Sequence, residues 1–84
     1  MAVERFSTEQ EFFSAYDRWI ACDLRTARKK AAEIEITGAN GHVYRPAIVE
    51  LPLSCITSVW KLMLAREAEL WYQLHPELPP PEFV

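Results

Sequence analysis

The positions of the helix breakers constrain this chain more than any other feature. No glycine or proline occurs before Gly38; Gly38, Gly41, Pro46 and Pro52 then follow closely, and no further breaker comes until Pro76. Relative to alanine, glycine costs about 1 kcal/mol and proline about 3 kcal/mol in a helix interior. Two long segments are therefore free to be helical, and the middle is not. At 84 residues the chain is one domain, of a size that buries only about 60% of the surface its unfolded form exposes. Three tryptophans, three tyrosines and four phenylalanines supply large anchors for so small a core.

The first breaker-free segment, 7–34, opens with Ser7 as a cap and Gln10 as its capping-box partner. Glu9 and Glu11 put negative charge in the first turn, where the helix dipole favours it. At 100° per residue, Phe12, Tyr16, Trp19, Ile20, Leu24, Ala27 and Ala31 share one side, bulky early and alanine-rich late. Arg18, Arg25 and Lys29 line the opposite side with Arg28 adjacent, a candidate anion contact against the plainer reading of a solvated face. Asp23 interrupts the apolar arc, where an unpaired carboxylate is costly and demands a partner.

The middle segment reads as a β-hairpin. Residues 32–37 alternate, with Ile34 and Ile36 on one face. Asn40-Gly41 is a hairpin turn signal, and pairing Thr37 with His42 sets Ile36 opposite Val43. Pro46 has no N–H for a ladder, so the second strand is an edge or ends there. The competing reading extends the first helix to Thr37 and leaves a loop at residues 38–41. His42 reads as a lone exposed histidine.

The segment 52–76 reads as a second helix, capped by Ser54 and stopped at His75-Pro76. Leu53, Ile56, Val59, Trp60, Met63, Leu64, Leu70, Trp71 and Leu74 share a broad face, with Leu62 and Tyr72 outside it. That is more apolar surface than one partner helix covers, which points to a second chain. Glu67 projects into this face, so Asp23 and Glu67 form a candidate carboxylate pair, set against the plainer reading that each meets Arg45, Lys30, an indole N–H or a tyrosine hydroxyl. Pro79, Pro80 and Pro81 stiffen the tail, which carries apolar Phe83 and Val84 onto a partner's groove or back onto the core.

The expected fold is α+β and predominantly helical: two long, roughly antiparallel helices joined by a short β-hairpin, with residues 1–75 as the domain and 76–84 as an extended Pro-rich tail. This order of elements resembles that of small phage head-to-tail joining proteins. The resemblance carries over no residue and implies only that a phage or mobile element is a fitting source.

The net charge of −3 counts against a general nucleic-acid binder. The N-terminal stretch has no signal-peptide pattern and no apolar run is long enough to span a membrane, so a cytoplasmic protein is expected. Cys22 and Cys55 read as buried, reduced residues; with His42 and His75 they lack the close ligand spacing of a zinc site. No catalytic residue, cofactor or metal is expected. The function expected is a non-enzymatic protein-interaction module (an adaptor, assembly factor or inhibitor) that binds through Leu62, Tyr72, Trp60, Trp71, Phe83 and Val84 and forms a homodimer through the second helix. The alternative is a nucleic-acid accessory protein using the Arg18, Arg25, Arg28 and Lys29 stripe.

Overall fold

The computed structural model describes residues 3–84; Met1 and Ala2, the start of the stretch read for a signal peptide, lie outside them. Among the described residues, five short strands and three short helices follow in the order β1 (Glu4–Phe6), α1 (Glu9–Tyr16), α2 (Leu24–Ala32), β2 (Ile34–Thr37), β3 (Val43–Tyr44), β4 (Ala47–Pro52), β5 (Ser58–Met63) and α3 (Ala65–Leu74). One sheet has the order β1-β2-β3, with β1 parallel and β3 antiparallel to β2; the other is the antiparallel pair β4-β5.

The β4-β5 sheet is covered on both faces. Ile48 and Leu62 pack with Phe12 and Tyr16 of α1, Ala27 and Ala31 of α2, and Ile34 and Ile36 of β2. The alternate residues Ala47, Val49 and Met63 pack with Ala68 of α3, backed by Trp19 and Trp71. This explains the unbroken apolar run of β4: Ala47, Ile48 and Val49 are all buried because successive side chains enter opposite cores. Each of Phe12, Ile34, Ile36 and Ile48 contributes about 1.5–3 kcal/mol by leaving water.

The molecule is not predominantly helical. Helix makes up about 33% of it and strand 28%, and both long helices are corrected. The first breaks after Tyr16, where Asp17 ends α1 and Lys61 holds the Asp17 carboxylate at 2.7 Å. Asp23 starts α2 by accepting the Thr26 N–H at 2.7 Å, so the acid that spoiled the apolar arc is a helix cap. The cap of α1 is Thr8, accepting from the Glu11 N–H, one residue later than the Ser7 and Gln10 reading. The second expected helix is half strand. Residues 58–63 form β5 because alternation turns Trp60 and Leu62 toward one core and Met63 toward the other. The likeness to phage joining proteins rested on a helix, hairpin and helix in that order, and it loses that basis.

The β2-β3 hairpin is present with its register shifted by one: Thr37 pairs with Val43 and Ile36 with Tyr44. The extra residue is absorbed by Gly41, at φ 83°, after a turn closed by the Gly41 N–H donating to the Gly38 carbonyl. β3 ends at Tyr44, and Pro46, two residues on, is buried where the chain crosses from one sheet to the other.

A single residue pair extends the β4-β5 sheet on each side. Ile20 exchanges two backbone hydrogen bonds with Trp60 on the outer edge of β5, at 2.7 and 2.8 Å. Glu82 does the same with Ile48 on the outer edge of β4, both bonds at 2.8 Å. The tail therefore folds back on the domain, and the Glu82 carboxylate accepts from both Nε and an Nη of Arg28, at 2.6 and 2.8 Å.

Candidate functional site

The break between α1 and α2 creates the site. Where a continuous helix would have packed, the connection carrying Arg18, Ile20 and Cys22 swings across to β5. Ala27 on the facing side of α2 is too small to fill the gap. The result is a cleft of about 240 Å³ lined by Tyr16, Arg18, Ile20, Cys22, Thr26, Ala27, Lys30, Trp60 and Leu62. Its floor is apolar, with Ala27 and Leu62 buried and Ile20, Cys22 and Trp60 half-buried.

The rim is cationic. Lys30 Nζ lies 5.5 Å and the Arg18 guanidinium 5.6 Å from the centre of the Tyr16 ring. Lys30 donates to the Glu4 carboxylate at 2.8 Å, and the Tyr16 hydroxyl donates to the same oxygen. The hydrogen bond from Lys30 holds the Glu4 carboxyl below its ordinary range, with Tyr16 adding to it. The reciprocal bond pushes the Lys30 ammonium up, and burial first, then Glu4, pushes the Tyr16 phenol up. At neutral pH Lys30 and Glu4 thus cancel and Tyr16 is neutral. Arg18 has no ion-pair partner among the described residues, so the rim carries one uncompensated positive charge.

The cleft brings together three of the contact residues proposed from the sequence, Arg18, Trp60 and Leu62. Leu62 enters in a corrected role: it is 3% exposed, a core residue of β5 and not an outward contact. Trp71 lies on the opposite face of the sheet against Trp19, with ring centres 5.5 Å apart. Tyr72 is exposed on α3, and Phe83 and Val84 stand half-exposed beyond the docked Glu82. Of the basic stripe, Arg28 is engaged by Glu82 and Arg25 and Lys29 remain exposed on α2. The cysteines are not buried: Cys22 borders the cleft and Cys55 is exposed on the loop joining β4 to β5.

Asp23 and Glu67 are not brought together. Asp23 caps α2, whereas Glu67 lines a separate open groove of about 770 Å³ with Ser7, Gln10, Phe13 and Arg66. Burial holds the Glu67 carboxyl above its ordinary range, opposed by the charges of Lys61 and Arg66. Glu9 in the same groove is tied to Arg66 at 2.7 and 3.0 Å and accepts the Tyr44 hydroxyl. Lys30 meets Glu4, and Arg45 donates to the Ala32 carbonyl, so neither serves the two acids as a partner.

Of the other cleft residues, Ile20 and Ala27 read from the sequence only as part of an apolar arc and Cys22 as a buried thiol, and Thr26 went unnamed; none was assigned to a site. The signal that could have found them is Asp23 read as a cap, because a helix starting there frees 17–22 to leave the helical path. No helix among the described residues is long and apolar enough to cross a membrane. Compared with protein-family models, curated proteins and solved structures, the chain matches none.

Proposed function

We propose that this chain is a non-enzymatic protein-interaction module whose cleft takes one large apolar side chain from a partner segment that carries an adjacent acid. The observation that supports this most is the pairing of an apolar floor with a single uncompensated charge, Arg18, at the rim. Apolar pockets with few polar groups are the usual form of a recognition site, and a cavity of about 240 Å³ suits one side chain better than a whole cofactor. Arginine at the edge of such a pocket favours carboxylates through its planar fork of donors. Self-association through the second helix has less apolar surface to draw on, because Trp60, Leu62, Met63 and Leu64 lie within the chain's own cores or pack on them; Leu70, Tyr72 and Leu74 still face outward. The nucleic-acid reading loses Arg28 to Glu82 and the continuity of its stripe to the helix break.

The test is an NMR titration of the intact chain with short peptides bearing a central leucine or phenylalanine flanked by aspartates. The methyl groups of Ile20 and Leu62 should shift, and the shifts should be lost in R18E and in T26W, which fills the cleft from an exposed position. Unmoved methyls, or equal shifts in R18E, would sink the reading. Salt-sensitive binding of an oligonucleotide, weakened by R25E and K29E, would favour the alternative instead.

A further inference from the structure

We propose that the outer edge of β4 is a strand-addition site for an extended acidic segment of another protein, and that the chain's own tail occupies it as an incomplete substitute. The argument begins with hydrogen-bond phase. Ile48 turns both its N–H and its C=O outward, to Glu82. Alternation along an antiparallel strand then turns Glu50 outward as well. The other edge agrees: Trp60, paired with Glu50 across the sheet, spends its N–H and C=O on Ile20, so neither is available to Glu50. The β4 edge therefore offers at least two consecutive pairing positions, Ile48 and Glu50.

The tail fills only one. Extending the Ile48–Glu82 register antiparallel puts Pro80 opposite Glu50 and Val84 opposite Pro46. Pro80 has no N–H to give the Glu50 carbonyl, and Pro46 has none to give the residue opposite it. A proline thus occupies each of the next two pairing positions, one on the tail and one on β4, and the ladder stops after a single pair. Prolines and short pairings are how exposed sheet edges are protected from unwanted strands.

What such an edge selects follows from its flank. Arg28 of α2 holds the Glu82 carboxylate with both ends of its fork, so the site has a built acid position opposite Ile48. The fitting partner is an extended segment that runs antiparallel to β4 with an acid at that position and a non-proline residue two places before it. Relative to the tail it gains the hydrogen bond that Pro80 withholds. Main-chain pairing would supply affinity and the acid would fix the register, as in other strand-addition complexes.

The probes are two synthetic peptides spanning 77–84, one with the natural sequence and one with Pro80→Thr. Each is titrated into the ¹⁵N-labelled full chain and into its E82A variant, in which the tail has lost its ion pair. The expected result is movement of the Ile48 and Glu50 amides, with the P80T peptide binding about fivefold tighter, the worth of one net hydrogen bond. A P80T peptide that also carries Glu82→Arg should bind poorly to the wild-type chain and recover on R28E. Three results would overturn the proposal: a Glu50 amide that neither peptide moves on E82A, equal binding of the two peptides, or no dependence on the sign of residue 28.

Discussion

The two outer edges of the β4-β5 sheet are closed by the same device, one residue exchanging two backbone hydrogen bonds, yet their surroundings differ. On the β5 side, Ile20 belongs to a segment held at both ends, by the Asp17–Lys61 ion pair before it and the Asp23 cap after it, and it borders the cleft with Trp60 and Leu62. On the β4 side, Glu82 lies in a tail tethered by one exposed ion pair and flanked by prolines that cannot extend the ladder. The hydrogen bonds are equally short in both places. Their number therefore does not decide whether an edge is structural or exchangeable; the apolar burial and the anchoring on either side do.

The harshest way to break the contrast is to damage the β5 side from within. Leu62→Ser removes a buried side chain and leaves a hydroxyl in its place, at a cost of about 3–5 kcal/mol. That is a large part of the roughly 5–15 kcal/mol that stabilises a typical domain. Urea denaturation should show a sharply lowered midpoint. A cost below about 1 kcal/mol would mean that the β5 side is no better supported than the tail.

The same backbone surgery on each edge gives the sharper comparison. Ile20→Pro removes the N–H that Trp60 accepts, disturbs an anchored segment, and should cost about 2 kcal/mol. Glu82→Pro removes the N–H that the Ile48 carbonyl accepts, together with the carboxylate that Arg28 holds, and should still cost about 1 kcal/mol or less, because the tail can leave without exposing a core. Equal costs in matched denaturation curves would erase the distinction.

The sequence allowed part of this to be read, and the limits are physical. The β2-β3 hairpin was legible because turn chemistry is local: glycine at 41 adopts the positive φ that the turn requires, and the pairing error was only one residue. The break at Asp17–Asp23 was not read, because it involves no glycine or proline and each of its residues tolerates a helix. Its one mark is Asp23, an acid in an apolar arc that demands a partner, and the partner is the N–H of Thr26 at the start of α2. Residues 58–63 were misread for a different reason. Trp60, Met63 and Leu64 fit a helical stripe as well as they fit a strand, and only the core on each side of the sheet makes Leu62 and Met63 point apart. Of the cleft, Arg18, Trp60 and Leu62 were visible as chemistry, but their meeting depends on that break. The docking of the tail depends on a pair 34 positions apart in sequence, Ile48 with Glu82, that no local pattern encodes.

The smallest expected effect is also the most selective, since it separates the two edges by pH alone. The hydrogen bonds from Arg28 hold the Glu82 carboxyl below its ordinary value of 4.5. A carboxyl whose folded pKa is depressed contributes its stabilisation above the unfolded value and loses it as pH falls through the folded one. The tail latch should therefore be intact at neutral pH and weaken as acidification passes below about 4.5 toward that lower folded value. Glu4, Glu9 and Asp23 are depressed in the same sense, so the whole domain also loses stability in this window, and a global melt cannot isolate the tail. Amide chemical shifts can. Under conditions where the domain is still folded, the Ile48 and Glu82 amides should move together as the latch opens, and the Ile20 and Trp60 amides should stay in place. In R28A the tail amides should sit near their acid-side positions already at neutral pH and move little on acidification. If Ile20 and Trp60 titrate in step with Glu82, the two edges open as one unit and the contrast between them fails.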